Sequence, residues 1–295
     1  MKKKYKVIFI YNPTSGRGRV EKNLDFIISE ISAKYGMCDV IRTMSPEHLK
    51  ESVRESCYKY DYLFFSGGDG TFNMVVNAIP DIDKLPIFGF LPGGTTNDMS
   101  YNLNISRRNV RKGVRDLLNA KPKKYDVGYI GSTKFIYVAD LSSYINAIHI
   151  TPKAEKKKWG PLAYVYYLLL AFMHAKEFVV YLNGVKYITP MVIISNSKEV
   201  ASFVINRAHK QDEGKYYACI VKRGPLKGLT NIAYLFAFGV KAAYLSKRIE
   251  VVEGSLLQIL TEEKSWDVDG EYVELSFPAT CGYSGRSITV LSNRK

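Results

Sequence analysis

Apolar residues in the first 120 positions follow two periods in turn. Short continuous runs, Val7 to Tyr11, Tyr62 to Phe65 and Ile87 to Leu91, read as strands, as does the more mixed Asp39 to Thr43. Between them apolar positions recur every three or four residues. Val20, Leu24, Ile27, Ile28, Ile31 and Tyr35 share one face and predict a helix over Val20 to Tyr35. Leu49, Val53 and Cys57 do the same after Ser45-Pro46, a cap followed by a first-turn proline. Further helices are expected over Thr71 to Ile79 and over Arg107 to Asn119, the latter with Val110, Val114, Leu117 and Leu118 inward. Strands alternating with helices imply a parallel sheet covered on both faces.

From about Lys124 the texture changes to short strand-like runs: Tyr125 to Tyr129, Phe135 to Val138, Phe178 to Tyr181, Met191 to Ile194, Tyr216 to Val221, Ile249 to Val252, Leu256 to Leu260 and Val273 to Phe277. Asn183-Gly184 reads as a hairpin turn. The expected fold is α/β + β, with a parallel-sheet α/β domain over residues 1–124 followed by a β-rich, mainly antiparallel domain over 125–295. The last residues can return to the first domain.

Three loops follow strands of the first half. They are Asn12-Pro13-Thr14-Ser15-Gly16-Arg17-Gly18, Gly67-Gly68-Asp69-Gly70-Thr71 and Pro92-Gly93-Gly94-Thr95-Thr96-Asn97-Asp98. Glycines let the backbone approach a ligand closely, and a following helix N-terminus offers free N–H groups to a phosphate. In an open parallel sheet all three loops lie outside the carboxyl ends of their strands, where such folds bind ligands. No Gly-x-Gly-x-x-Gly opens a helix after the first strand and no Gly-Lys-Ser/Thr follows a glycine loop, so the Rossmann dinucleotide fingerprint and the P-loop are both disfavoured. A carboxylate such as Asp69 beside phosphates needs a metal or a proton transfer to give it a purpose.

The net charge of +14 adds a polyanion to the expected surroundings. Basic residues cluster at Arg107-Arg108, Arg111-Lys112 and Arg115, at Lys121, Lys123 and Lys124, and at Lys153 and Lys156 to Lys158. No helix-turn-helix, zinc or RNA-binding signature accompanies them, so no nucleic acid is expected. Cys38, Cys57, Cys219 and Cys281 have no Cys-x-x-Cys spacing and read as buried thiols of a reducing, cytoplasmic chain. The basic Met1 to Tyr5 leads into a strand and gives no sign of export. Trp159 to Ala175 holds no formal charge; a helix packed in the second domain is preferred there over a membrane span, and an edge touching a bilayer surface stays open.

In order, Asn-Pro-x-Ser-Gly, Gly-Gly-Asp-Gly-Thr and Pro-Gly-Gly-Thr-x-Asn-Asp resemble the catalytic domain of the diacylglycerol kinase family of lipid kinases. The resemblance continues through Gly160-Pro161-Leu162-Ala163-Tyr164 and ends at Asp269-Gly270-Glu271. It implies an N-terminal nucleotide-binding domain, a β-rich acceptor-binding domain, and a kinase that uses ATP and Mg²⁺ to phosphorylate a lipid hydroxyl. Asn12, Pro13, Thr14, Ser15, Gly16, Gly67, Gly68, Asp69, Gly70, Thr71, Gly93, Gly94, Thr95, Thr96 and Asn97 would cradle the nucleotide. Thr43 matches a family threonine near the nucleotide or merely caps its strand end. Asp69 and Asp98 suit Mg²⁺, with a helix cap as the alternative for Asp98. Asp269 is the expected general base, with Glu271 its partner or the base itself; an acidic β-turn is the plain alternative. A structural Mg²⁺ at Asp212 and Glu213 is implied only by the family, and Tyr217 stands where the family often has aspartate.

Departures from the family pattern fall near the acceptor: Met74, Met99-Ser100-Tyr101, and Asp140-Leu141-Ser142-Ser143 without its glycine. The expected enzyme transfers the γ-phosphate to diacylglycerol or a relative at an anionic membrane surface. It would be peripherally associated, without a transmembrane helix, and could form a homodimer. An NAD kinase-like enzyme and a non-catalytic nucleotide-binding regulator are the alternatives.

Overall fold

The computed structural model describes residues 5–94, 97–142, 176–195, 199–200, 203–204, 214–224 and 228–294. In chain order its elements are β1 (Val7–Tyr11), α1 (Leu24–Tyr35), β2 (Cys38–Arg42), α2 (Pro46–Lys59), β3 (Tyr62–Gly67), α3 (Asp69–Ala78), β4 (Ile87–Pro92), α4 (Asp98–Leu103), α5 (Val110–Asn119), β5 (Lys121–Ile130), β6 (Thr133–Phe135), β7 (Val138–Ser142), β8 (Phe178–Leu182), β9 (Val185–Thr189), β10 (Met191–Ser195), β11 (Glu199–Val200), β12 (Phe203–Val204), β13 (Tyr216–Val221), α6 (Leu229–Leu245), β14 (Ile249–Gly254), β15 (Leu256–Thr261), β16 (Ser265–Val268), β17 (Glu271–Glu274) and β18 (Ala279–Ser292). The chain forms two compact units, Met1–Val127 with Gly285–Lys295, and Gly128–Ser284.

In the first unit β2, β1, β3 and β4 run parallel in that order, and the end of β18 joins them with Val290 opposite Phe88. Every residue of β1 and β3 is buried, as parallel strands with both faces covered require. β2, at the edge, is mostly exposed. Helix α2 opens as expected: Ser45 Oγ accepts from His48 N at 3.1 Å and Pro46 follows. α5 begins later than Arg107 because Asn109 caps it, its Oδ1 accepting from Lys112 N at 3.0 Å. α1 begins at Leu24, since Glu21–Asn23 winds as a 3₁₀ turn.

In the second unit β14, β13, β10, β7, β16 and β17 form an antiparallel sheet in that order. A second antiparallel ladder joins β9, β8, β15 and the start of β18. Inward side chains of both, among them Ala139, Ile194, Ala218, Trp266, Val180 and Leu257, close one core. Asn183 and Gly184 both have positive φ and make the tight β8–β9 turn. α6 packs on β13 and β14 and breaks at Gly239 (φ 83°, ψ 173°).

Two expectations change here. The strand expected over Phe135 to Val138 is interrupted, because the N–H groups of Ile136 and Tyr137 turn to the Asp269 carboxylate. The strand expected over Val273 to Phe277 lies earlier, as β17. The two-residue turn at Asp269-Gly270 sets Glu271 directly opposite Val268 and so starts the ladder there. All four cysteines are buried free thiols, and burial pushes Cys38 and Cys57 up to about 12, which leaves them uncharged and inert. Among the described residues no helix is long and apolar enough to cross a membrane. Trp159 to Ala175, Lys153 and Lys156 to Lys158 lie outside them, as do Thr95, Thr96, Asp212 and Glu213.

Candidate functional site

At the carboxyl ends of β1, β3 and β4 the glycine loops are built against one another. Gly93 N and Gly94 N both donate to Gly67 O, at 2.7 and 3.1 Å. A Cβ on Gly94 would meet Gly68 Cα at 2.5 Å, and one on Gly67 would meet the Thr71 side chain at 2.2 Å. Gly94 is therefore required by contact between loops, and Gly67 by contact within its own, before any ligand is considered. Asn97 fixes the third loop in the left-handed region (φ 55°): its Oδ1 accepts from Gly94 N at 2.9 Å and its Nδ2 donates to Gly94 O at 2.7 Å. In the first loop Thr14 N and Oγ1 both donate to Asn12 Oδ1, at 2.9 and 2.8 Å, and Ser15 N donates to Asn12 O. Asn12 thus bends the chain immediately after β1.

What the loops leave over is informative. Ser66, the last side chain before the glycines, is 2% exposed and its hydroxyl has no partner. A Cβ on Gly93 would sit 3.0 Å from Ser66 Oγ and 3.1 Å from Ser15 Oγ. Two hydroxyls therefore border a space that a side chain at position 93 would crowd. An orphaned buried hydroxyl is costly unless a ligand or water completes it. A cavity of about 550 Å³ opens here, with Asn12, Thr14, Thr43, Ser66, Thr71 and Met74 on its wall, within the range of small-molecule sites. Ser66 was not singled out in the sequence as a site residue. Its signal was a polar side chain closing an otherwise apolar strand.

Thr43 reaches this wall, yet its hydroxyl is engaged: Oγ1 donates to Tyr11 O at 3.1 Å, beside the Thr43 N bond to the same oxygen at 2.9 Å. Asp69 begins α3, near its positive end, and its Oδ1 accepts from Met99 N at 3.1 Å at the start of α4. The aspartate thus also ties two of the loops together. Asp98 opens α4. Among the described residues no three acidic, histidine or cysteine side chains gather as a metal cage. Mg²⁺ ordinarily takes one or two carboxylates and fills its shell with water and phosphate oxygens, so Asp69 fits as a single protein ligand.

The acidic turn of the second unit has another character. Asp269 and Gly270, at φ 54° and 87°, form the whole connection from β16 to β17. The Asp269 side chain is 0% exposed. Its Oδ2 accepts from Ile136 N at 2.8 Å, and its Oδ1 from Tyr137 N and Val138 N at 3.0 and 3.1 Å, while its own N–H donates to Val138 O. Gly270 N donates to Asp267 Oδ1 at 2.7 Å. Glu271, the next residue, is exposed. The two carboxylates of the motif thus divide: Asp269 holds the turn and Glu271 faces outward.

Comparison with known proteins follows the same motifs. Residues 6–130 match the family model described as "Diacylglycerol kinase catalytic domain". A diacylglycerol kinase of Bacillus subtilis (strain 168) is 31% identical over 156 residues, 52% of this chain and 52% of that protein. A diacylglycerol kinase of Staphylococcus aureus (strain bovine RF122 / ET3-1) is 27% identical over 279 residues, 92% of this chain and 87% of that protein. A crystal structure of a diacylglycerol kinase from Bacillus anthracis str. Sterne superposes with TM-score 0.79 over 99% of both chains at 24% identity, which shows a shared fold.

Proposed function

We propose, from the match of residues 6–130 to the diacylglycerol kinase catalytic-domain model and the relatives that share its motifs, that the chain is an ATP-dependent kinase of that family, transferring the γ-phosphate to the hydroxyl of diacylglycerol or a related lipid. The observation that carries the donor half is the unpartnered Ser66 hydroxyl beside Ser15 and Gly93, next to the uncapped N-terminus of α3. Phosphoryl transfer asks for a phosphate cradle, a cation and a group that orients the acceptor. Asn12, Ser15, Ser66, Gly68 and Thr71 supply the cradle. Asp69 would hold Mg²⁺, which when bound neutralises charge on the phosphates.

In the second unit Glu271 takes the proton of the acceptor hydroxyl as its oxygen attacks the γ-phosphorus and ADP departs. Asp269, buried and saturated with N–H donors, keeps the turn in shape for Glu271. Basic side chains would bring the enzyme to the cytoplasmic face of an anionic membrane, each worth roughly 1 kcal/mol near the surface. Arg107 and Arg108 line a second cavity with Tyr101, and the Arg107 guanidinium lies 4.1 Å over the Tyr101 ring. The assembly expected is a homodimer, which sedimentation equilibrium reads directly. The deciding experiment is labelled ATP with a lipid panel, with NAD, and with no acceptor. Label in a diacylglycerol-like lipid is expected; label in NAD, or ATP turnover without any acceptor, overturns the reading.

A further inference from the structure

Two carboxylates outside the Asp269–Gly270–Glu271 motif stand on the strands beside its turn. Asp140 in β7 and Asp267 in β16 are direct partners across an antiparallel ladder. Residues so placed have Cβ atoms about 4.5–5.5 Å apart on one face of the sheet, and like charges there repel. Around Asp140 on that face lie Ile193 of β10 on one side and Asp267 on the other, with Tyr272 of β17 beyond Asp267. Farther along the same face are Cys219 of β13, Glu253 of β14 and Glu274 of β17. Burial, and after it the charge of Asp267, pushes the Asp140 carboxyl well above the ordinary carboxylate range.

We propose that Asp140 and Asp267 are a positioning pair for the Asp269–Gly270–Glu271 turn and carry one proton between them. The strands bearing the pair are the ones that fasten the turn. Val138 of β7 and the two residues before it donate to the Asp269 carboxylate, and Val138 O accepts from Asp269 N. On β16, Asp267 Oδ1 accepts from Gly270 N at 2.7 Å. A neutral Asp140 lets Asp267 stay charged and hold Gly270 while the strands remain paired. Loss of the shared proton sets two anions against each other at that point, parts the strands and displaces Glu271.

The catalytic side of this proposal rests on the reading of Glu271 as the base; the pair itself does not. Two readouts keep them apart. Turnover of the wild type should fall at alkaline pH, about tenfold for each pH unit past the pair's midpoint. Asp140→Asn and Asp267→Asn each remove the second negative charge, and both should lose that alkaline fall. Thermal unfolding needs no substrate. An unfolded aspartate titrates near pH 4, and a folded group whose proton is held to higher pH makes the wild type lose stability as pH rises from there to the folded midpoint. The Tm of Asp140→Asn should therefore gain on that of the wild type over that window, by about 3 °C or more. A Tm gap constant with pH overturns the pair, whatever the activity. A growing gap with an unmoved alkaline limb in either variant overturns the positioning role. If Asp140→Asn does not fold, the alkaline limb of Asp267→Asn decides, since burial still raises Asp140 there and keeps part of its pH-dependent Tm in place.

Discussion

Asp69 and Asp269 each stand beside a glycine, one at the start of a helix and the other in a tight turn, and their surroundings differ in hydrogen-bonding capacity. Around Asp69 hydrogen-bonding capacity is left over: Ser66 Oγ has no partner and a helix N-terminus stands open. Around Asp269 none is left for a ligand to claim, with both oxygens in backbone bonds and no exposed surface. Buried polar groups in folded proteins are satisfied as a rule, so a deficit marks a place made for a ligand and saturation marks a place made to hold shape. Nearness to a motif does not separate these two; the local count of donors and acceptors does.

The sharpest way to break the comparison is in the acidic turn. Glu271→Gln should cut turnover about 10²- to 10⁴-fold, the usual worth of a general base, with ATP affinity and Tm unchanged. Asp269→Asn should act differently: an amide opposite three N–H donors leaves buried groups unpaired, costing about 3 kcal/mol or more. At roughly 2–4 °C per kcal/mol that is a Tm fall of about 6–12 °C, with activity lost alongside. Kinetics and calorimetry on both variants check this, and a fully stable but inactive Asp269→Asn would return the role of base to Asp269.

The glycine loops give the next largest effect. Gly94→Ala puts a Cβ 2.5 Å from Gly68 Cα, a backbone atom that cannot step aside. Overpacking of this kind costs about 1–3 kcal/mol, so ATP affinity should fall on the order of 10- to 100-fold, as titration with a fluorescent ATP analogue would measure. An affinity equal to wild type would mean that the loops do not form the cradle.

The sequence carried the first unit further than the second for a physical reason. Buried parallel strands are continuous apolar runs, and Val7 to Tyr11 or Tyr62 to Phe65 can be read almost to the residue, as can the cap at Ser45. Loop glycines announce themselves by type. The second unit is organised by contacts distant in sequence: the break before β7 depends on a carboxylate at 269, some 130 positions away. Asp140 stood out only as part of a segment departing from the family pattern, and the ladder reveals that another acid faces it. α6 went unread because its apolar residues face nearly all round, which blurs the helical period. Ser66 showed the same limit, since no pattern of residue types says that a hydroxyl lacks a partner.

Ser66→Ala tests that deficit directly. Removing an unpartnered buried hydroxyl should leave the Tm of the free protein unchanged or raised, while ATP affinity falls about 3- to 10-fold, the worth of a hydrogen bond of 0.5–1.5 kcal/mol. A lower Tm with unchanged affinity would show that the hydroxyl serves the fold instead.

Thr43 supplies the smallest effect and the opposite expectation, although it lines the same cavity. Its one hydroxyl proton goes to Tyr11 O, an oxygen that keeps the Thr43 N–H when the hydroxyl is lost. Thr43→Val keeps the shape and removes only that bond, so no acceptor is stranded and the cost stays near 0.5–1 kcal/mol, a Tm fall of about 1–4 °C. The hydroxyl has no second proton to offer a phosphate, so the ATP dissociation constant should move less than about twofold. A weakening of about fivefold or more, measured beside Ser66→Ala, would mean that Thr43 exchanges Tyr11 O for the nucleotide on binding and that engagement in the free protein is a poor guide at this wall.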